Sequence, residues 1–300
     1  MRARRHTLRY CAEAAGFFLF MGLFRIMGLD AASALGGFIG RNVFSRTKLT
    51  ARARENLVAA FPEKSAAEIA AIISRMWDNL GRTVAEYAHL DRFGIDGPDA
   101  RITIRGVDNA AQTQGALFLS GHFANWEILP IAAAQYGLDG AIVYRPPNNP
   151  FVDRWIARMR GKRGYTEQIS KHNGAKRIFT LLRGGKCILL LADQKTSEGI
   201  EAPFFGRGAM TTPVPAALAL KLGVPILFAS NRRTGGAHFE VTLHPPLAFT
   251  PSGDEKADVQ AMTVVINQRL EEMVRADPAQ WLWIHRRWTT ARDRAKLAKS

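Results

Sequence analysis

Apolar and polar positions divide the chain into three stretches of different character. From Ala14 to Phe24 nearly every residue is apolar, Phe17, Phe18, Leu19, Phe20, Met21 and Leu23 among them, and Arg25 closes the run. From Ser65 to Leu90 the apolar positions Ile69, Ile72, Ile73, Met76, Trp77 and Leu80 recur at helical spacing. That periodicity predicts a long amphipathic helix with Trp77 in the core. Ser65 followed three residues later by Glu68 predicts a capping box at its start. From residue 101 short strand patterns appear, alternating at 101–105 and apolar at 116–120, 141–144, 187–192 and 225–229, with a later strand at 239–243. Helical patterns lie at about 124–136, 151–161, 174–183 and 214–222, and a closing amphipathic helix at 255–275. Buried strands alternating with helices predict an α/β fold, a mixed, largely parallel sheet flanked by helices. No repeat and no linker interrupts the pattern. The Pro- and Gly-rich segments 146–150 and 199–215 read as substrate loops.

The amino terminus admits several readings. Arg2, Arg4, Arg5 and Arg9 precede the apolar run, and Ala32-Ser33-Ala34 resembles a signal-cleavage site. Arg25 and Asp30 make the gap to that site long and charged, which argues against cleavage. A spanning helix needs about 20 apolar residues, and Arg25 interrupts this one. A buried core helix is the plain alternative. We read residues 1–45 as a basic segment with a membrane-anchor helix that spans or lies at the interface, and 46–300 as the catalytic domain. Basic residues also follow the run (Arg41, Arg46, Lys48, Arg52 and Arg54), so charge does not orient it. Arg25 itself reads as a lipid-facing charge.

Composition narrows the function. Of 300 residues 47% are apolar and 22% charged, which excludes a disordered chain and a polytopic membrane protein. Lys and Arg number 41 against 26 acidic residues, a formal net charge of +15, so the surface seeks anions. Cys11 and Cys187 are the two cysteines; they form no disulfide framework and fit a reducing compartment.

The sharpest chemical signal is Ser120-Gly121-His122-Phe123-Ala124-Asn125-Trp126-Glu127, where a buried strand gives way to a helix. Ligands and catalytic groups of open α/β sheets gather at the carboxyl ends of strands. There a neutral His122 can act as general base near pH 7. On a continuous helix His122 and Glu127 would lie about 140° apart. They meet only if His122 stands on a turn before the helix and Glu127 on its first turns. Gly121 would ease such a turn. Glu127 would then fix the tautomer and stabilise the imidazolium. Without a Gly-x-Ser-x-Gly elbow or a nearby cysteine, the economical chemistry is direct transfer to an acceptor hydroxyl. The plain alternative is a loop histidine beside a helix-capping glutamate. His-Glu-x-x-His is absent, and no third ligand stands near His122 and Glu127, so no metal is expected.

His-x4-Glu after a short strand resembles the first motif of the lysophospholipid acyltransferase superfamily. More closely, it resembles that of the lipid A secondary (lauroyl or myristoyl) acyltransferases. Asn56, Leu57, Phe61, Pro62 and Glu63 resemble a block near the start of that branch. Tyr144-Arg145-Pro146, Asn149-Pro150, Asp153 and Arg160 resemble the second block. Ala192-Asp193-Gln194, then Phe204-Phe205-Gly206 with Pro213 and Ala216 to Ala219, resemble the next two, and Trp281 to Trp288 the carboxyl-terminal signature. The likeness spans roughly residues 50–290 in the family's order.

The resemblance implies a glycerolipid-acyltransferase-like fold and transfer of a fatty acyl chain from a thioester to a hydroxyl of a phosphorylated lipid A precursor. Acyl carrier protein is the favoured donor and acyl-CoA the alternative. His122 and Glu127 would be catalytic, with Arg145, Arg160, Asp193 and Gln194 binding substrate, Arg145 and Arg160 as phosphate clamps. It implies no cofactor, and an enzyme at the bacterial inner membrane with its catalytic domain facing the cytoplasm, in contact with phospholipid. An acceptor of another kind, a phosphatidylinositol mannoside or an ornithine lipid, is the near alternative. A basic membrane- or nucleic-acid-binding module is the distant one, and zinc spacing, RNA-binding aromatics and a basic recognition helix are all missing for specific nucleic acid. His285 reads as structural in its Trp-rich setting, and His172, His238 and His244 as surface or turn residues.

Overall fold

The computed structural model describes residues 2–97, 100–110, 113, 115–171, 174–196 and 199–288. His172 lies outside them. Four helices open the chain: α1 (Arg2–Ile26), α2 (Leu29–Asn42), α3 (Leu49–Ala60) and α4 (Ala66–Glu86). The capping box of α4 forms as its sequence predicts. Ser65 Oγ accepts from the Glu68 amide, and Glu68 accepts from the Ser65 amide at 2.8 Å. Ile69, Ile72, Ile73, Met76 and Trp77 are buried on one face, and the Trp77 indole donates to Thr50 Oγ1 at 2.9 Å.

The remainder alternates strands and helices: β1 (Ile102–Arg105), β2 (Leu117–Ser120), α5 (Ile128–Gln135), β3 (Gly140–Tyr144), α6 (Pro150–Gly161), β4 (Gln168–Ser170), α7 (Ala175–Arg183), β5 (Cys187–Leu191), β6 (Ile200–Phe204), β7 (Arg207–Thr211), α8 (Val214–Leu222), β8 (Ile226–Gly235), β9 (His238–Leu243) and α9 (Glu255–Ala276). Seven strands form one sheet in the order β1-β9-β8-β2-β5-β3-β4, parallel at every junction except β8 with β9. β2 lies at its centre. Alternation along β2 sends Leu117 and Leu119 to the face covered by α4, α7, α8 and α9, and Phe118 to the face covered by α5 and α6. Both faces are thus packed around β2, which is why it reads as an unbroken apolar run.

Segment 199–215 is not the expected loop. It holds the antiparallel hairpin β6–β7, turned at Phe205 and Gly206, both at positive φ. Its Ala202, Phe204 and Ala209 are buried, and α9 braces it through Asn267, which donates to the Pro203 carbonyl at 3.1 Å.

α2 packs on α4 backbone to backbone: a methyl group on Gly40 would run into the Trp77 carbonyl, and one on Gly81 into that of Gly36. α2 therefore belongs to the folded body. α1 leans on that body with one side only. Met21 and Phe24 are buried, Phe17 meets the Trp155 ring edge-on at 5.3 Å, and Leu8, Leu19, Leu23 and Ile26 are exposed. Arg25 is not lipid-facing, since it forks onto Asp91 at 2.6 and 2.9 Å and donates to the Ala88 carbonyl. Removal of residues 1–27 should leave a cooperatively melting protein, whereas removal of 1–45 strips the cover from α4 and should abolish the transition. Calorimetry of the two shortened chains checks this. Equal melting of both would support a boundary at residue 45.

Candidate active site

The parallel register of β2 with β5 sets Ser120 opposite Leu191. Two residues beyond each strand end stand His122 and Asp193, so the sheet itself brings them together. His122 Nδ1 lies 2.8 Å from Asp193 Oδ1, and the His122 amide donates to Asp193 Oδ2 at 2.7 Å. The Trp281 indole adds a third bond, to Oδ2 at 2.8 Å. Gly121 permits this approach, because a Cβ there would press on the Asp193 carboxylate and the Phe123 ring. Ala124, at φ +47°, is the residue in the left-handed region, so Gly121 serves by close approach and not by unusual backbone angles.

Asp193 is 1% exposed. Burial alone pushes its carboxyl up, but the His122 ring and the bonds it donates more than offset this and hold the carboxyl well below the usual carboxylate range. An ionised Asp193 makes Nδ1 the protonated nitrogen and leaves the Nε2 lone pair to accept a proton. Trp126 meets the His122 ring edge-on at 5.0 Å. The amide nitrogen of Gln194 lies 3.2 Å from His122 Nε2 and 3.4 Å from His285 Nε2.

His285 thus belongs to the site, its ring 5.1 Å from that of His122. Burial, reinforced by His122 and opposed by Asp193, pushes it down to about 4, so it stays neutral at pH 7. Asn56 donates to the carbonyls of Trp283 and His285 at 2.7 and 2.9 Å, which joins an early block of the sequence to the carboxyl-terminal one. His238 is exposed, and His244 lies within hydrogen-bond distance of Ser230 and Arg269.

Glu127 does not take the place behind His122 that its spacing predicted. The turn through Ala124 and Asn125 aims it away from the imidazole, toward α6 and the end of α4. Its carboxylate accepts from Arg160 Nε and Nη2, both at 2.6 Å, and from the Tyr87 hydroxyl at 2.5 Å. The Glu127 side chain is 2% exposed and that of Arg160 12%. Burial pushes the Glu127 carboxyl up and Arg160 pulls it further down, leaving it below its ordinary value. Two nitrogens of the Arg160 fork are taken up by Glu127. Its Nη1, buried and without a bond, is what remains. Tyr144 lies beneath the guanidinium at 5.1 Å.

Of the other residues expected to bind substrate, Asp193 is occupied by His122 and Trp281, and Gln194 stands directly at the Nε2 of His122. Arg145 is exposed on the loop after β3. The pattern missed the pairing of Asp193 with His122 and the places of Tyr87, Trp281 and His285. One local signal pointed to Asp193, an acidic residue just past a buried strand. Among the described residues no group of three or more His, Cys, Asp or Glu could hold a metal ion.

Comparisons with known proteins find similar sequences among bacterial acyltransferases. The chain is 26% identical over 267 residues to the lipid A biosynthesis lauroyltransferase of Escherichia coli K12, covering 85% of this chain and 83% of that one. It is 25% identical over 252 residues to the lipid A biosynthesis palmitoleoyltransferase of the same organism, covering 79% and 78%. A phosphatidylinositol mannoside acyltransferase of Mycobacterium tuberculosis is 25% identical over 218 residues, covering 70% of this chain and 64% of that one. Residues 2–290 match the family model described as bacterial lipid A biosynthesis acyltransferase. With nearly its whole length matched, this chain belongs to the bacterial lipid A biosynthesis acyltransferases.

Proposed function

We propose that the chain transfers a fatty acyl group from an acyl thioester, carried by acyl carrier protein, to a hydroxyl of a phosphorylated lipid A precursor. His122 is the general base and Asp193 its partner. The observation that carries the mechanism is the His122–Asp193–Trp281 arrangement, which leaves Nε2 as the acceptor nitrogen. The acceptor hydroxyl displaces the Gln194 amide from Nε2, gives its proton to Nε2, and its oxygen attacks the thioester carbonyl. That attack forms the ester C–O bond, and collapse of the tetrahedral intermediate restores the carbonyl and breaks the C–S bond. The imidazolium returns the proton to the departing thiolate. Asp193 stabilises the imidazolium between these steps. The step needs neither metal nor nucleotide.

The net charge of +15 suits an acidic carrier protein, a phosphorylated acceptor and anionic phospholipid together. Arg145, exposed at the carboxyl end of β3, is the side chain we assign to acceptor phosphate. α1 carries the stretch Thr7–Ile26, long and apolar enough to cross a membrane. We assign it to the bacterial inner membrane, with the catalytic body on the cytoplasmic side. Full-length protein should then stay on membranes in high salt and leave with detergent.

Mass spectrometry of lipid A after deletion of the gene tests the acceptor. Loss of one secondary acyl chain is expected, and its mass identifies the chain length. The likeness to a phosphatidylinositol mannoside acyltransferase supports a second reading, another membrane lipid as acceptor. Unchanged lipid A together with an altered lipid of another class would establish that reading in place of the first.

A further inference from the structure

We infer that Glu86 and Arg233, a buried ion pair beneath the His122 turn, are positioning residues for the base, acting through Asn125. This rests on His122 being the base. Glu86, at the last position of α4, is 0% exposed. Its carboxylate receives Arg233 Nη1 and Nη2 at 2.5 and 3.0 Å, Ser33 Oγ at 2.7 Å and Asn125 Nδ2 at 2.9 Å. Arg233 is held in turn by Asn79 Oδ1 at 2.8 Å and the Gly236 carbonyl at 2.7 Å, with the Phe239 ring below it. A pair buried this deeply adds little net stability over apolar side chains of the same size. What it supplies is direction, a carboxylate oxygen fixed in space.

Asn125 turns that direction into the geometry of the site. Its Nδ2 donates to Glu86, its Oδ1 accepts from the Glu127 amide at 3.1 Å, and its carbonyl accepts from Asn231 at 2.6 Å. Ala124, one residue nearer to His122, sits at φ +47°, a conformation an alanine keeps only when its surroundings impose it. Its amide donates to the Gln280 carbonyl at 2.9 Å, and its carbonyl accepts from Thr83 at 3.1 Å. Gln280 itself bonds both the amide and the carbonyl of Arg233, at 2.6 and 3.1 Å. Arg233 therefore reaches the turn twice, through its side chain by Glu86 and through its backbone by Gln280. Released from these bonds, residues 123–125 would relax and rotate the imidazole off Asp193.

The test compares Glu86→Gln, Asn125→Ala, Asn125→Asp and the reciprocal pair Glu86→Gln with Asn125→Asp, on the full-length chain. Acyl transfer and melting temperature are measured together, with His122→Ala as reference. Each single substitution should lower kcat by about 10- to 100-fold, because small misplacements of a reacting group cost that much. KM should stay within about twofold, since no substrate contact is touched. The reciprocal pair exchanges donor for acceptor and keeps one carboxylate near Arg233, so it should recover most of kcat. Imidazole nitrogen NMR should show a Nδ1-protonated His122 in the parent chain and the pair, and a tautomer mixture in the single variants. Asn125→Ala leaves the ion pair whole and carries the test if Glu86→Gln does not fold. Full kcat in Glu86→Gln and Asn125→Ala with His122→Ala inactive would overturn the positioning role alone. A fully active His122→Ala would instead overturn the assignment of the base. A reciprocal pair no better than the worse single variant would also count against the mechanism.

Discussion

His122→Ala should abolish acyl transfer and leave the fold intact. Its side chain is 14% exposed at the end of β2, and Asp193 keeps its bonds to the His122 amide and the Trp281 indole when the ring is removed. Loss of a general base costs about 10² to 10⁴ in rate. Asp193→Asn should be nearly as damaging while His122 remains in place. An asparagine amide facing Nδ1 favours the tautomer with the proton on Nε2, and the equivalent change in a serine-protease triad costs about 10⁴. Acid stability gives a second readout. The Asp193 carboxyl is held below its unfolded value, so its contribution is present above about pH 4 and is lost as pH falls further. His285, lowered to about 4, contributes fully above about pH 6.5 and loses its share between those values. Asp193→Asn should therefore flatten the stability curve below about pH 4. Steady-state kinetics and melting curves on purified protein check both. Near-normal turnover by His122→Ala would sink the assignment, and by Asp193→Asn it would return the partner role to another side chain.

Glu127→Ala should destabilise the protein as well as slow it. The carboxylate and the Arg160 guanidinium share two 2.6 Å bonds in a nearly dry site. Removing one partner from a buried ion pair costs about 3–5 kcal/mol, because the other charge stays behind unpaired. In a domain of this size that amounts to a melting shift of about 10 °C. Arg160→Ala should cost as much, and Arg160→Lys only somewhat less, since an ammonium cannot reproduce the fork. The double variant Glu127→Leu with Arg160→Met removes both charges. It should lose far less than the sum of the single changes, a coupling that a double-mutant cycle reads directly. Additive losses would mean that the two side chains act separately, as a substrate clamp at Arg160 requires.

Much of this protein is written locally in its sequence. The capping box at Ser65 and Glu68, the apolar face from Ile69 to Leu80, and the strands at 101–105, 116–120, 141–144, 187–192 and 239–243 follow from periodicity. The position of His122 at a strand end also followed, because a buried run that stops at Ser120 must leave the sheet there. The short β4 and the β6–β7 hairpin escaped notice. Three residues carry too little pattern, and Pro203, Gly206 and Gly208 read as turn signals even though Phe204 faces the core.

What no local pattern holds is who stands opposite whom. Glu127 lies five residues from His122 and turns away to Arg160, whereas Asp193 is 71 residues distant and touches it. That choice belongs to the parallel register of β2 with β5, set by how apolar side chains of both strands pack against helices on the two faces of the sheet. The close crossing of α2 over α4 and the arrival of Trp281 and His285 are likewise long-range events. Spacing and capping, which act over a few neighbours, were enough to place the elements and to set His122 at a strand end. The tertiary structure decided its partner, since only packing brings the ends of separate strands to one place.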